Sequence, residues 1–146
     1  MNIVETHNIA AVAVVATSVE PQSSTGGTIN GTGIDRVVHN LAQSAILHQA
    51  VGAVSGGPSA VSVVTKIQDS ADNSTFADYA PAPTNSVIAA AALTAQNTEN
   101  AAAVDLSSAR RYIRLVTTVT LTGGTSPAAL VVGDLVLAGE SQLPAA

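Results

Sequence analysis

Cysteine and tryptophan are absent from this 146-residue chain, and its aromatic side chains are only Phe76, Tyr79 and Tyr112. Without cysteine there is no disulfide scaffold, no thiolate-held zinc or iron–sulfur cluster, and no thiol nucleophile. So few aromatic rings argue against a carbohydrate-binding module, which stacks sugars on aromatic platforms. Charge is scarce as well, with 10% charged residues against about 25% in soluble domains. Five basic residues against ten acidic ones give a net charge of −5, which excludes a phosphate-binding surface and hence nucleic acid as a partner. The longest apolar run, Ile9 to Ala16, is too short to cross a bilayer as a helix. No basic residue precedes it and Glu5 does, so it does not read as a secretory signal.

What is present is alanine and valine, within a hydrophobic share of 47%. A chain of this length fits one domain that buries roughly two-thirds of its unfolded surface. Alternation of period two and β-branched residues predict strands at Ile9–Ser18, Gly33–Asn40, Ala45–Val54, Ala60–Gln68, Thr75–Ala80, Val87–Thr94, Ala103–Leu106, Tyr112–Thr122 and Ala128–Ala138. In Tyr112–Leu121 the residues Ile113, Leu115, Thr117 and Val119 share one side, and Tyr112, Arg114, Val116 and Thr118 share the other. Short strands punctuated by Gly, Pro and Asn predict an all-β fold, an antiparallel β-sandwich or barrel of about seven to nine strands. Two similar segments, VGAVSGGPSAVSVV (51–64) and VTTVTLTGGTSPAALVV (116–132), each read as a β-hairpin around a Gly-Gly turn.

Residues 1–33 stand apart from this pattern. Glu20–Gly33 is a polar Gly/Ser/Thr stretch with the composition of a linker, and the Ile9–Ala16 run preceding it can add a strand to a sheet edge. The expected organisation is an extended N-terminal arm and linker over 1–33 and a sandwich domain over 34–146. Ile9, Val12 and Val14 are the candidate contacts of the arm. SVIAAAALTAQ (86–96) has helical propensity, but it is short and flanked by prolines, and it is read as a strand.

Motifs for chemistry are weak. His7, His39 and His48 show neither metal-ligand spacing nor a same-strand pair, and they read as surface or interface residues. No Gly-x-Ser-x-Gly elbow occurs, so catalysis is not expected. GGTINGTG (26–33) lacks the lysine and spacing of a phosphate loop. DSADNSTFAD (69–78) carries three carboxylates without the calcium-loop pattern. It reads as a hairpin turn in which Asp and Asn bond their own backbone. No metal or cofactor is expected. Arg110, Arg111 and Arg114 hold three of the five positive charges. They are either contacts to an assembly partner or cations guarding a strand edge.

Three pieces carry a resemblance: Lys-x-Gln-x-Ser (66–70) running to Phe-x-Asp (76–78), Arg-Arg-Tyr-x-Arg (110–114), and Gly-Gly-Thr-Ser-Pro (123–127) leading into an apolar strand. Over about residues 45–140 the chain resembles the small β-sandwich capsid decoration, or cement, proteins of tailed bacteriophages. That resemblance implies a structural virion protein on the capsid exterior, made in the host cytoplasm, bridging subunits of the major capsid protein. It implies a homo-oligomer, a trimer before a dimer, with no membrane partner. A phage tail-tube or fibre component is the alternative, and a stand-alone ligand-binding sandwich is a more distant one.

Overall fold

The computed structural model describes residues 12–139, which form nine strands. They are β1 (Ala13–Ser24), β2 (Gly27–Asn30), β3 (Ile34–Asp35), β4 (Ser44–Ser55), β5 (Ala60–Ser70), β6 (Ala77–Asp78), β7 (Thr98–Asp105), β8 (Tyr112–Thr122) and β9 (Ala128–Ala138). Sheet A runs β1-β9-β4-β7, and sheet B runs β2-β8-β5-β6 with β3 also on β8. Every pairing is antiparallel. Residues 87–94 lie extended beside β5, touching it through bridges at Val63–Leu93 and Lys66–Ala89. The order of strands, with early and late strands interleaved in both sheets, is that of a jelly roll, one of the ways all-β chains limit exposed edges. The expected all-β sandwich is what forms.

Alternation sets the packing. Leu47, Gln49 and Val51 of β4 face Val63, Thr65 and Ile67 of β5 across the sandwich, with Leu115, Thr117 and Val119 of β8 beside them, and all are buried. The apolar members divide into two clusters. One gathers Leu47, Ile67, Leu115 and Leu135, and the other Val51, Val63, Val119 and Val131. Between them lies a polar layer: Thr65 pairs with Thr117 in sheet B, and Gln49 pairs with Gly133 in sheet A.

The β4–β5 and β8–β9 segments are not hairpins, which corrects their reading from sequence. β4 and β9 belong to sheet A, β5 and β8 to sheet B, so each Gly-Gly turn carries the chain from one sheet to the other. The two turns nest: Thr125 N–H donates to the Gly56 carbonyl at 2.8 Å, and a Cβ on Gly124 would stand 2.4 Å from that same oxygen. Turn chemistry was legible, but the partner of each strand was not, because nothing local distinguishes crossing from returning.

The linker reading of 20–33 is also corrected. Residues 13–24 form β1 on β9, and residues 27–30 form β2 on β8, so the described part of 1–33 belongs to the sandwich. The small residues here serve close approach. Ser18 Oγ accepts from Leu115 N–H and donates to the Thr32 carbonyl, both at 2.9 Å, and a Cβ on Gly31 would meet Ser18 Oγ at 2.4 Å. Residues 1–11, including Ile9, lie outside the described residues. Of the strand expected over Gly33–Asn40 only Ile34–Asp35 forms, because Asp35 caps a 3-10 turn over Arg36–His39, accepting from Val37 N–H at 3.0 Å. The strand expected over 103–106 begins earlier, at Thr98.

Candidate interaction surface

The strand pairings place outward residues of sheet A in rows. Val15, Val136, Ile46 and Ala103 form one row across all four strands. Val15 is 64% and Ile46 47% exposed. The next row is Thr17, Asp134, His48 and Ala101. Beyond it Val132 pairs with Ala50, and exposed Leu130 lies over Gly52, whose added Cβ would meet Leu130 Cδ2 at 3.2 Å. The polar row therefore has a mostly apolar region on either side, bordered on β7 by Asp105 and Glu99. Each region is a shallow groove, about 710 Å³ by Val136 and Ile46 and about 350 Å³ by Leu130 and Val132.

His48 is the cationic candidate of this face. Its Nε2 lies 3.1 Å from Glu99 Oε2, and its Nδ1 lies 3.8 Å from Asp134 Oδ2. Among the described residues, sheet A contains no lysine or arginine. The described residues contain no group of three His, Asp or Glu side chains able to hold a metal ion.

The arginine cluster sits on the other sheet and is engaged within the chain. Arg111 grips Asp35, with Nη2 2.6 Å from Oδ2 and Nε 3.0 Å from Oδ1. This contact holds the Asp35 carboxyl below the usual carboxylate range. Arg114 donates to Gln68 Oε1 at 3.0 and 2.8 Å and stacks on Phe76 at 4.2 Å. Gln68 and Lys66 in turn hold Asp78, at 2.8 and 2.7 Å, so the 70–78 loop is folded back over sheet B. Arg110 is exposed, and its backbone N–H donates to Asp69 Oδ2 at 2.9 Å. The loop's turn chemistry is as read from sequence: Asp72 Oδ1 accepts from Thr75 N–H at 2.8 Å and from Ser74 N–H at 2.9 Å.

The arm candidates fall differently. Val12 precedes β1 and lines the larger groove. Val14 pairs with Leu137 on the inward side of the open β1 edge and is 36% exposed. Sequence reasoning missed the sheet A row, because its members sit on four strands whose neighbours are far apart in the chain. It also missed Arg36, a buried cation that donates to the carbonyls of Ala42, Leu106, Ala109 and Arg110. Burial lowers its pKa from the ordinary arginine value. Arginine inside a segment expected to be a strand was the available signal, since an unpartnered charge is not buried.

No family model and no curated protein matches the chain. Among solved structures it is similar to a chain in the structure of infectious bursal disease virus, Gx strain, with TM-score 0.50 and 16% identity. The match covers 88% of the present chain and 33% of the viral one. The chain therefore spans about a third of that viral chain, and what the two share is the fold.

Proposed function

We propose that this chain is a structural protein of a bacteriophage virion, which decorates the capsid exterior and stabilises it by bridging major capsid subunits. The observation that carries this reading is the outer face of sheet A. Val15, Ile46 and Leu130 project there from a sheet with two apolar grooves, and this grouping of exposed apolar side chains on one face is read as a contact with another protein. Two further observations support it: the similarity of fold to a chain in the structure of infectious bursal disease virus, and the resemblance of residues 45–140 to capsid decoration proteins. The role is mechanical. It requires no catalysis, cofactor, nucleic acid or membrane, and homo-oligomerisation belongs to it.

Electron cryo-microscopy of particles assembled with and without the chain tests this. The expected result is added density on the outside of the shell, together with greater resistance of the shell to heat. Particles whose maps and melting are the same in both preparations would overturn the reading.

A further inference from the structure

Asn30-Gly31, at the end of β2, is the one Asn-Gly pair of the chain. Asparagine followed by glycine is the pair most prone to lose its side-chain amide, because no side chain on the second residue hinders attack by its backbone nitrogen. We propose that Asn30 is a site of spontaneous self-modification, which the closed sandwich holds off and the opening of β2 releases. The Gly31 nitrogen bonds to Asn30 Cγ, the Cγ–Nδ2 bond breaks, and the amide leaves as ammonia with the proton that the Gly31 nitrogen gives up. The product is a five-membered succinimide. Water then opens the ring at either carbonyl and leaves aspartate or isoaspartate at position 30.

The fold itself requires the reactive pair. A Cβ on Gly31 would stand 2.4 Å from Ser18 Oγ, 2.6 Å from the Ser18 carbonyl oxygen and 2.8 Å from that of Leu115, so only glycine fits after Asn30. The same crowding disarms it. The Gly31 N–H, whose nitrogen is the nucleophile, donates to the Leu115 carbonyl at 2.9 Å, and the Thr32 N–H donates to the Ser18 carbonyl at 2.7 Å. Ring closure also brings Cβ, Cγ, Cα and the Gly31 nitrogen close to one plane. That turns the Asn30 ψ far from the value of about +135° in an antiparallel strand, and pairing with Val116 holds Asn30 in the strand. The Asn30 side chain adds no lock of its own, since it is exposed and has no hydrogen-bond partner among the described residues. Backbone pairing alone stands between Asn30 and reaction.

β2 is well placed to open. It is four residues long and lies at the edge of sheet B with β8 beside it. Ile29 is its one partly buried side chain, and the other three positions are exposed. Segments with few buried contacts and exposed backbone hydrogen bonds open at free energies well below that of global unfolding. Closing again after reaction is hindered. Isoaspartate routes the main chain through Cβ and Cγ, which adds one atom before the Gly31 N–H and carries it away from the Leu115 carbonyl. Either product also adds a negative charge at the edge of β8. Opening of β2 is thereby recorded as a permanent change in charge, and in backbone length where isoaspartate forms.

Peptide mass spectrometry of the full chain, incubated at mildly alkaline pH in buffer and in rising guanidinium chloride, tests this. Aspartate and isoaspartate at position 30 are expected to accumulate at least tenfold faster in the unfolded chain than in buffer, because a closed segment reacts only through its open fraction. The rate should begin to climb at denaturant concentrations below those that unfold the body by circular dichroism. Asn30→Gln should stay unconverted in the unfolded chain over the same time, since the longer side chain closes a six-membered ring more slowly. Its melting temperature should match the parent, because position 30 is exposed. Equal rates in buffer and denaturant, an unfolded chain that keeps Asn30, a glutamine variant converted as fast as the parent, or a rate that climbs only with global unfolding would each overturn the proposal.

Discussion

The hydroxyls of Thr65 and Thr117 meet at 2.8 Å across β5 and β8, and neither residue has exposed surface. They lie opposite Gln49, which is equally buried and donates through Nε2 to the Ala91 carbonyl and to Asn100 Oδ1. A polar layer therefore splits the core into its two apolar clusters. The aliphatic side chains of the clusters are held by packing alone, whereas the threonine pair fixes the register of β5 on β8, since a one-residue slip of β5 would turn the Thr65 hydroxyl outward and leave that of Thr117 buried without it.

Replacing one threonine of the pair leaves the other hydroxyl buried without its partner, while replacing both leaves none. Thr65→Val and Thr117→Val are each expected to cost about 1–2 kcal/mol, and the double variant less than their sum, returning close to the parent. Urea unfolding of the four proteins measures the coupling directly.

Arg36 joins four carbonyls, in the turns at 36–42 and 106–110. Arg36→Met should lose about 3–5 kcal/mol, since the carbonyls of Ala42, Ala109 and Arg110 lose the guanidinium as donor and that of Leu106 keeps only the Ala109 N–H. Arg36→Lys should recover only part of it, because an ammonium cannot spread donors over that width. Equal stability of the two variants would show that the guanidinium fork carries the whole effect, and a lysine variant as stable as the parent would show that charge alone suffices.

Sheet membership was the least legible feature of the sequence, and the reason is physical. Period-two patterns in Tyr112–Thr122 and Ala128–Ala138 reproduce β8 and β9 to the residue, because each strand buries one face wherever it is placed. Pairing depends on the partner strand. The row Val15–Val136–Ile46–Ala103 draws on residues spread over most of the chain, and no local pattern marks it. Glu20–Gly33 misled for a different reason. Its Gly31 and Gly33 occupy places where backbone and polar side chains crowd in, and composition alone cannot separate such crowding from looseness.

Acid should weaken the fold in a defined range. Asp72 is held well below the ordinary carboxylate value by the N–H groups of Thr75 and Ser74, Asp78 by Lys66, Asp35 by Arg111 and Asp105 by the Ser107 N–H. Folded values below the unfolded ones mean stability that is fully present above about pH 4 and lost as pH falls through the folded values. The melting temperature should be flat from pH 7 to pH 5 and decline below pH 4. Asp72→Asn should make that decline shallower, because the strongly depressed carboxyl of the four no longer titrates. Thermal melts between pH 2 and pH 7 check both statements.

Removing residues 1–19 tests whether β1 is part of the body or an appendage to it. From composition the body should stand without this segment, but two of its residues are built into the core. Val19 is 1% exposed and packs over Gly133, where an added Cβ would meet Val19 Cβ at 3.3 Å. Ser18 Oγ ties sheet A to Leu115 of sheet B. Deletion strips these contacts and leaves β9 without its β1 partner from Ala138 to Gly133, while its pairing with β4 remains, so an inner strand becomes an edge open to water. Loss of a buried valine alone costs about 1.5–3 kcal/mol, and an unserved backbone N–H at Leu115 adds about 1–3 kcal/mol. Against a total stability of about 5–15 kcal/mol, the truncated chain should melt at least ten degrees lower or fail to fold. Val19→Ser in the full chain separates the two contributions: it keeps β1 paired on β9 and should lose only the smaller, packing share. A truncated protein with the melting temperature of the parent would place β1 outside the cooperative unit and restore the arm as the better description of this segment.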